Sequence, residues 1–330
     1  MTFHTSRRRA LRASLAALAM AAAFPALADT WPSRPITLIV PYAAGGNVDV
    51  VARWIAPELA KRLGQPVVID NVTGAGGVIG TEKAIRAKPD GYTLLLSVES
   101  TIVIAKMVTP ATVKYNGLKD LQPVSLLGSQ PLVLVGKPDL PAQNATELFA
   151  AIKKSPGKYS YATSGVGTSL HLGGELLKQR GSVSMVHIPY RAGSQIVSDL
   201  AGNQIDLAVL PLSMVMQQVQ AGKIRAYGVM SDTASPAMPG VPPLAQVPAW
   251  KGADVSVWQG VFAPAGTDMA IVTRINKELG EILQTPDLQQ KFNESGSTRL
   301  GLGPVEFAKF LQGEDAKFAR VVSQGHIQVD

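Results

Sequence analysis

The sequence predicts an α/β protein of two lobes, each built on a mostly parallel sheet, and three features carry that expectation. Residues 36–98 read as strand, helix, strand, helix, strand. A second alternating block runs over 132–230. Between 231 and 254 the prolines at 236, 239, 242, 243 and 248 break regular structure, and beyond them come one more strand and then helices. Alternation of this kind implies parallel strands with helices on both faces and ligands beyond the carboxyl ends of the strands. At 330 residues and 46% hydrophobic content the chain can bury a sizeable core and has room for about two domains.

Residues 36–40 are a continuous apolar run with β-branched members, closed by Pro41 and the turn-prone Gly45-Gly46, which marks a buried strand. Val51, Ile55, Leu59 and Leu63 then recur every four residues with Arg53, Glu58, Lys61 and Arg62 on the other side, so a helix follows, stopped by Gly64. A strand over 67–69, a short helix from Gly74-Ala75-Gly76-Gly77 to about 87, and a strand over 92–98 complete the first block. The second block begins with a strand over 132–135 and a helix over 146–154, where Asn144 and Glu147 have capping-box spacing. Strands over 159–163, 186–189, 207–210 and 224–230 alternate with helices over 169–180, 194–201 and up to 221. The proline-rich stretch suits a surface connection. A strand over 255–262 precedes helices over 268–283, 287–293 and 304–322. The first block has few helices of its own after Val98, so these are expected to return to it. That sets one lobe at 29–129 and 255–330 and the other at 130–254, joined by two crossings with a cleft between them.

Residues 1–28 are expected to be a signal peptide. Arg7, Arg8, Arg9 and Arg12 form a positive start, residues 15–24 are apolar, and Ala26-Leu27-Ala28 is a small-x-small cleavage site, so the mature chain would begin at Asp29. An apolar run of that length spans about 15 Å as a helix, roughly half a bilayer core, and is too short for an anchor. Ser6-Arg7-Arg8 with Leu11 and Arg12 also resembles a twin-arginine signal with Ala10 in place of the usual Phe, which leaves twin-arginine and Sec export both open. Either route leads to the periplasm. Without the leader's four arginines the formal net charge falls from +7 to +3. The remaining Lys and Arg are dispersed, with no basic run interleaved with aromatics, so no nucleic-acid partner is expected.

Cysteine is absent, which excludes disulfides, thiolate nucleophiles, iron–sulfur clusters and Cys-ligated zinc. His171 and His187 lack metal spacing, and no H-E-x-x-H accompanies them. His187 reads as packed in the core and His171 as a helix residue that caps or lines the cleft. No metal or cofactor is expected. Gly74 to Gly80 superficially matches a dinucleotide fingerprint, but Ile79 stands where the third glycine would be, and packing of a helix start is the better reading. Ser155-Pro156-Gly157-Lys158 matches S-x-x-K in letters only, because Pro and Gly make it a turn. Two segments stand out instead: Ala43-Ala44-Gly45-Gly46-Asn47 after the first strand, and Ser164-Gly165-Val166-Gly167-Thr168-Ser169 after a strand of the second block. Small residues at a helix start leave backbone N–H groups free to face an anion together with the positive end of the helix dipole. Asp49, in the first helical turn, either serves that dipole or reaches a ligand.

These residues resemble a known family. Gly45-Gly46-Asn47-Val48-Asp49-Val50-Val51-Ala52-Arg53 is similar to the G-G-x-x-D-x-x-A-R segment of the Bug-type periplasmic solute receptors of tripartite tricarboxylate transporters. Asn71 to Gly80 resembles their N-x-x-G-A-G-G-x-I-G, Pro89 to Leu94 their P-D-G-Y-T-L, and Gly165 to Leu172 their G-x-G-T-x-x-H-L. Val186 to Tyr190 and Phe262 to Thr267 also fit, in the expected order. The resemblance implies a two-lobed Venus-flytrap receptor, folded like type II periplasmic binding proteins, that holds a small carboxylate between its lobes and delivers it to membrane subunits. It implies pocket loops at Tyr42, Ala43, Ala44, Gly45, Gly46 and Asn47 and at Ser164, Gly165, Gly167, Thr168 and Ser169, with Tyr190 and Arg191 nearby.

One departure stands at the end of the 207–210 strand. Many members carry an aromatic–Asp–polar triplet there, and this chain has Val209-Leu210-Pro211, so Leu210 would give the pocket an apolar wall and favour a dicarboxylate or an aromatic acid. The expected protein is thus a monomeric, non-enzymatic carboxylate receptor. Two alternatives stay open at this stage: a periplasmic carboxylate-ester hydrolase using Ser164 or Ser169 with His171 as base, and a ligand-sensing receptor without transport.

Overall fold

A run buried at every position but Thr37 makes Ile36–Val40 (β1) a central strand in the computed structural model, which describes residues 31–190 and 193–327. The chain divides into two units, 1–33 and 34–330, and every element below lies in the second. The expected signal peptide and its cleavage site, like Arg191, lie outside the described residues. After β1 come helix α1 (Asn47–Leu63), strand β2 (Val67–Asn71), helix α2 (Val78–Ile85) and strand β3 (Thr93–Val98). Val51, Ile55, Leu59 and Leu63 are buried along one side of α1, and Gly64 ends it in the left-handed conformation, as the spacing requires.

Strand β4 (Leu121–Gly136) is far longer than the four residues expected, because the sequence masks its first half with Pro123, Gly128 and Pro131. The second block follows as α3 (Ala145–Lys154), β5 (Ser160–Thr163), α4 (Ser169–Gly181), β6 (Val186–Pro189), α5 (Gly193–Ala201), β7 (Leu207–Pro211), α6 (Leu212–Gln220) and β8 (Arg225–Val229). Asn144 caps α3 by accepting from the Glu147 amide (3.0 Å), while Glu147 accepts from the Gln143 amide (2.7 Å). Residues 231–254 hold only two short 3₁₀ turns. The chain ends with β9 (Ser256–Pro264), α7 (Met269–Leu283), α8 (Pro286–Glu294), the unexpected strand β10 (Thr298–Leu302) and α9 (Pro304–Gly325).

Among the described residues ten strands form one sheet: eight follow the path β2-β1-β3-β9-β4-β7-β5-β6, and β8 and β10 pair with β4 off that path. Two parallel sets sit at its ends, β2-β1-β3 and β6-β5-β7. The strands between them are antiparallel: β9 on β3, and β4 on β9, β10, β7 and β8. The sheet is therefore mixed, with the expected parallel strands confined to each end, because two long strands double back through its middle. The first half of β4 pairs β9 and β10, and the second half pairs β7 and β8. The crossing is narrow. The Leu132 amide donates to Val255 O (3.1 Å), and the Met230 amide to Leu132 O (2.7 Å), so outgoing and returning strands lie side by side there. Helix α7 returns to α1, where Arg62 pairs with Glu278 (3.5 Å) and Glu281. Trp258, Phe262 and Phe307 are fully buried together, with Trp258 edge-on to Phe307 at 5.8 Å.

Candidate functional site

The parallel sets put the loops after β1 and β5 at the carboxyl ends of their strands, and each loop opens a helix. In the first loop Ala43, Ala44, Gly45 and Asn47 are exposed and Tyr42 and Gly46 half-buried. Among the described residues, none accepts from the amides of Ala43 and Ala44. Gly45 takes a left-handed φ of 81°, which brings its amide to Asp49 Oδ2 (2.8 Å). Asp49 is fully buried and holds three further donors: Arg53 Nε on Oδ2 (2.8 Å), Arg53 Nη2 on Oδ1 (3.1 Å) and Asn71 Nδ2 on Oδ1 (3.0 Å). Asn71 Nδ2 also reaches Tyr42 O (3.0 Å). The Arg53 hydrogen bonds hold the Asp49 carboxyl down to about 2, against the opposing effect of its burial. Asp49 therefore shapes the loop from beneath, and its lone pairs are occupied by the protein.

The second loop has the same plan with different chemistry. Gly165 and Gly167 have φ of 129° and 78°. Among the described residues, none accepts from the amides of Ser164, Gly165, Val166 or Thr168, and none pairs with the Ser164 hydroxyl. Thr168 caps α4: its Oγ1 accepts from the His171 amide (3.3 Å) and donates to Gly165 O (2.9 Å). His171 Nδ1 accepts from the Gly167 amide (3.2 Å), which leaves the imidazole proton on Nε2. His187 stacks on His171 at 4.1 Å, and its Nε2 meets Thr163 Oγ1 at 2.7 Å. Desolvation is the main cause of depressed basicity in both rings, and it brings His187 down to about 4. The histidines thus support the loop as neutral rings. With Nδ1 engaged by its own loop, His171 is not set up as a base for Ser164 or Ser169.

The two loops converge at the end of β3. Glu99, 1% exposed, accepts from Ser169 Oγ (2.7 Å) and from the Trp258 amide (3.1 Å). The Tyr42 hydroxyl is buried beside Ser97 and Thr101, whose own hydroxyls bond at 2.6 Å; burial, and next the Glu99 carboxyl, raise its pKa. A side chain at Gly77 would strike Thr101 at 2.8 Å and Tyr42 at 3.1 Å, and one at Gly167 would strike Val108 at 2.8 Å. Gly74, Gly77 and Gly80 therefore serve packing, Gly80 lying against Pro41 and Val72 O, while Gly76 has open space and a left-handed φ of 65°. Sequence reasoning passed over Glu99, although a lone acid between the apolar runs 94–98 and 102–104 signals a buried, partnered carboxyl.

Two other expected residues lie at the strand ends beside the second loop: the Tyr190 amide donates to Thr163 O (2.9 Å), and the pairing of Ala162 with Ala208 sets Leu210 level with Ser164. Tyr190 is half-buried and its hydroxyl donates to Asp199 (2.7 Å), within α5. Leu210 has no accessible surface and pairs with Val133 across β7 and β4. Among the described residues no cluster of His, Asp and Glu could hold a metal ion, and no helix is long and apolar enough to cross a membrane.

Residues 51–326 match the Tripartite tricarboxylate transporter family receptor (TctC). The chain belongs to this family. Protein BugT of Bordetella pertussis strain Tohama I is 36% identical over 302 residues, covering 92% of each chain. Two solved structures are similar: R. palustris Rpa4515 with adipate (28% identity, TM-score 0.82, 90% of this chain and 99% of that one), and MatC (Rpa3494) from Rhodopseudomonas palustris with bound malate (29%, TM-score 0.76, 88% and 100%). The TctC chain is accordingly a two-lobed binding protein of a receptor family, not an enzyme, and family membership gives it a small solute and a transporter as its partners.

Proposed function

We propose that this TctC receptor works in the periplasm, holds a small carboxylate between residues 42–47 and 164–169, and passes it to the membrane subunits of a tripartite transporter. The observation that carries this reading is the pair of glycine-bearing helix starts that converge at Glu99, each with backbone amides that no group among the described residues accepts. Such amides hold an anion without a charged side chain. The similarity to proteins whose structures contain adipate and malate agrees with a carboxylate of that size. Residues 34–129 and 255–327 would move as one lobe and 130–254 as the other, about the crossing at Leu132 and Val255, with export directed by residues 1–28. The buried apolar strand end Val209–Pro211 offers no polar group to a ligand ammonium, so an unsubstituted dicarboxylate or an aromatic acid is preferred over aspartate, glutamate or citrate. An ammonium left unpaired there would lose at least about 1–3 kcal/mol.

Titration calorimetry with adipate, malate, benzoate, aspartate and citrate tests this. The expected result is stoichiometric binding of an acid recovered unchanged, with native stability raised by about 2.7 kcal/mol at a hundredfold excess over Kd. Turnover of the ligand, or tighter binding of aspartate or citrate than of every unsubstituted acid, would overturn the respective part.

A further inference from the structure

Glu99 sits where the two halves of the sheet meet. Its Oε1 accepts from Ser169, the first residue of α4 in the second block, and its Oε2 from the Trp258 amide in β9. The connection continues outward: Trp258 Nε1 donates to Glu314 Oε2 (3.0 Å) on α9, and Lys317 pairs with Glu314 (2.5 Å). The groups facing Glu99 are the Tyr42 phenol from the first loop, the hydroxyls of Ser100 and Ser169, the Trp258 amide and, further off, the acidic Glu314. No base is among them. A carboxyl buried without a basic partner is tolerated only where donors or a proton satisfy it.

We infer that Glu99 is a positioning residue that pins the second anion loop to the first half of the sheet, so that closure of the receptor takes up a proton at this carboxyl. The inference rests on the proposed receptor that closes around an acid. In the pinned geometry burial lifts Glu99 to about 7, opposed by the bonds from Ser169 and Trp258 and helped by Glu314. Drawn away from α4, the same carboxyl meets water and returns toward the ordinary carboxylate range. The pinned form then binds the proton more tightly, and acidification favours it. A neutral carboxyl still accepts from the Trp258 amide, and its O–H can donate to Ser169 Oγ once that hydroxyl rotates. Between pH 8 and pH 6 the linkage amounts to about tenfold in the closing equilibrium.

Glu99→Gln mimics the protonated form, since its Oε1 can accept from Trp258 and its Nε2 can donate to Ser169. With adipate as the probe, the wild type should bind about tenfold more tightly at pH 6 than at pH 8, whereas Glu99→Gln should bind equally at both, near the wild-type pH 6 value. Ser169→Ala should weaken binding at both. Protonation of adipate itself is common to all three proteins and drops out of the comparison. Small-angle X-ray scattering of the ligand-free proteins reads the pin without a ligand: the wild-type radius of gyration should fall from pH 8 to pH 6, and that of Glu99→Gln should stay small. A wild-type pH slope retained in Glu99→Gln would overturn the inference. If adipate binds at neither pH, the receptor reading fails for that acid, and a wild-type radius unchanged with pH removes the pin by itself.

Discussion

The two loops share a backbone plan, a strand end, glycines and a helix start, yet they are fastened by opposite chemistry. Beneath the first lies an ionised network in which Asp49 takes donors from Gly45, Arg53 and Asn71. Beneath the second lie neutral groups, the His171 and His187 rings and a carboxyl raised toward neutrality. The first loop's support also comes from its own half of the sheet, whereas the second is tied across to Glu99 and crowded by Val108. The first should therefore behave as a fixed cradle, and the second as the one whose position depends on its surroundings.

The sharpest way to break this comparison is to add a side chain to each loop. Gly167→Val forces a left-handed backbone on a β-branched residue and drives its Cβ to 2.8 Å from Val108. Left-handed strain of about 1–2 kcal/mol and overpacking of about 1–3 kcal/mol should together remove roughly 3–4 kcal/mol of stability and abolish carboxylate binding. Gly45→Val has the same left-handed strain but open space around it, so only the strain should appear. Gly46 has an ordinary φ of −72°, so Val there brings only a 3.2 Å approach to Ala43 O. Denaturant melts of the three variants should rank 167, 45, 46; equal losses would dissolve the distinction between a crowded and an open loop.

Asp49→Ala attacks the fixed cradle directly. It strips the acceptor from Gly45, Arg53 and Asn71, and charge-assisted bonds of this kind are each worth about 1.5–3 kcal/mol; with Arg53 largely exposed, a net loss of about 3 kcal/mol is expected. Because the Asp49 carboxyl is held down to about 2, its contribution is complete above the ordinary carboxylate range near 4 and is lost only as pH falls from there toward 2. The stability difference between wild type and Asp49→Ala should then be constant from pH 5 to pH 8. A difference that shrinks below pH 6.5 would mean that the first loop, too, hangs on a group titrating near neutrality.

The sequence displayed the loops clearly and their fastening hardly at all. Glycine pairs after apolar strands are a local signal, and so was the helix spacing of 47–63. What fastens the loops is non-local: Asn71 reaches Asp49 across 22 positions and Ser169 reaches Glu99 across 70. The first half of β4 was hidden because its two prolines deny the usual ladder, and β10 because its five residues, with Gly301 among them, show no alternation. The mixed sheet followed from strand partners that no local pattern encodes. Tyr190 and Leu210 were expected at the pocket from family resemblance, and both have their polar or apolar contacts within the second block.

Acid should separate the loops next. His187 is held near 4 and His171 is lowered in the same direction, both chiefly by desolvation. Folded-state values below the unfolded value mean that their contribution is complete above about pH 6.5 and is lost as pH falls toward 4. At pH 5 the loss from His187 alone is on the order of 2 kcal/mol. Glu99, lifted to about 7, gains stability over the same interval, so the difference between the two proteins is the readout: between pH 7 and pH 5 the wild type should lose about 2 kcal/mol relative to His187→Gln. An identical pH dependence in the two proteins would move the acid sensitivity away from His187.

The smallest effect distinguishes two hydroxyls within the second loop. Thr168 Oγ1 is used up by the protein, accepting from the His171 amide and donating to Gly165 O, whereas the Ser164 hydroxyl is half-buried and meets no group among the described residues. Removing a helix cap costs about 1 kcal/mol of stability, so Thr168→Val should melt lower and lose affinity only through the loosened helix start. Ser164→Ala removes a hydroxyl that no described residue bonds, so its melting temperature should stay at the wild-type value. If that hydroxyl meets the bound carboxylate, affinity should fall by about 0.5–1.5 kcal/mol, a few-fold to about tenfold in Kd. Paired melts and calorimetry on the two variants read both quantities. A stability loss in Ser164→Ala would give Ser164 a structural part, and wild-type affinity in that variant would leave the loop's backbone amides as its sole contact with the acid.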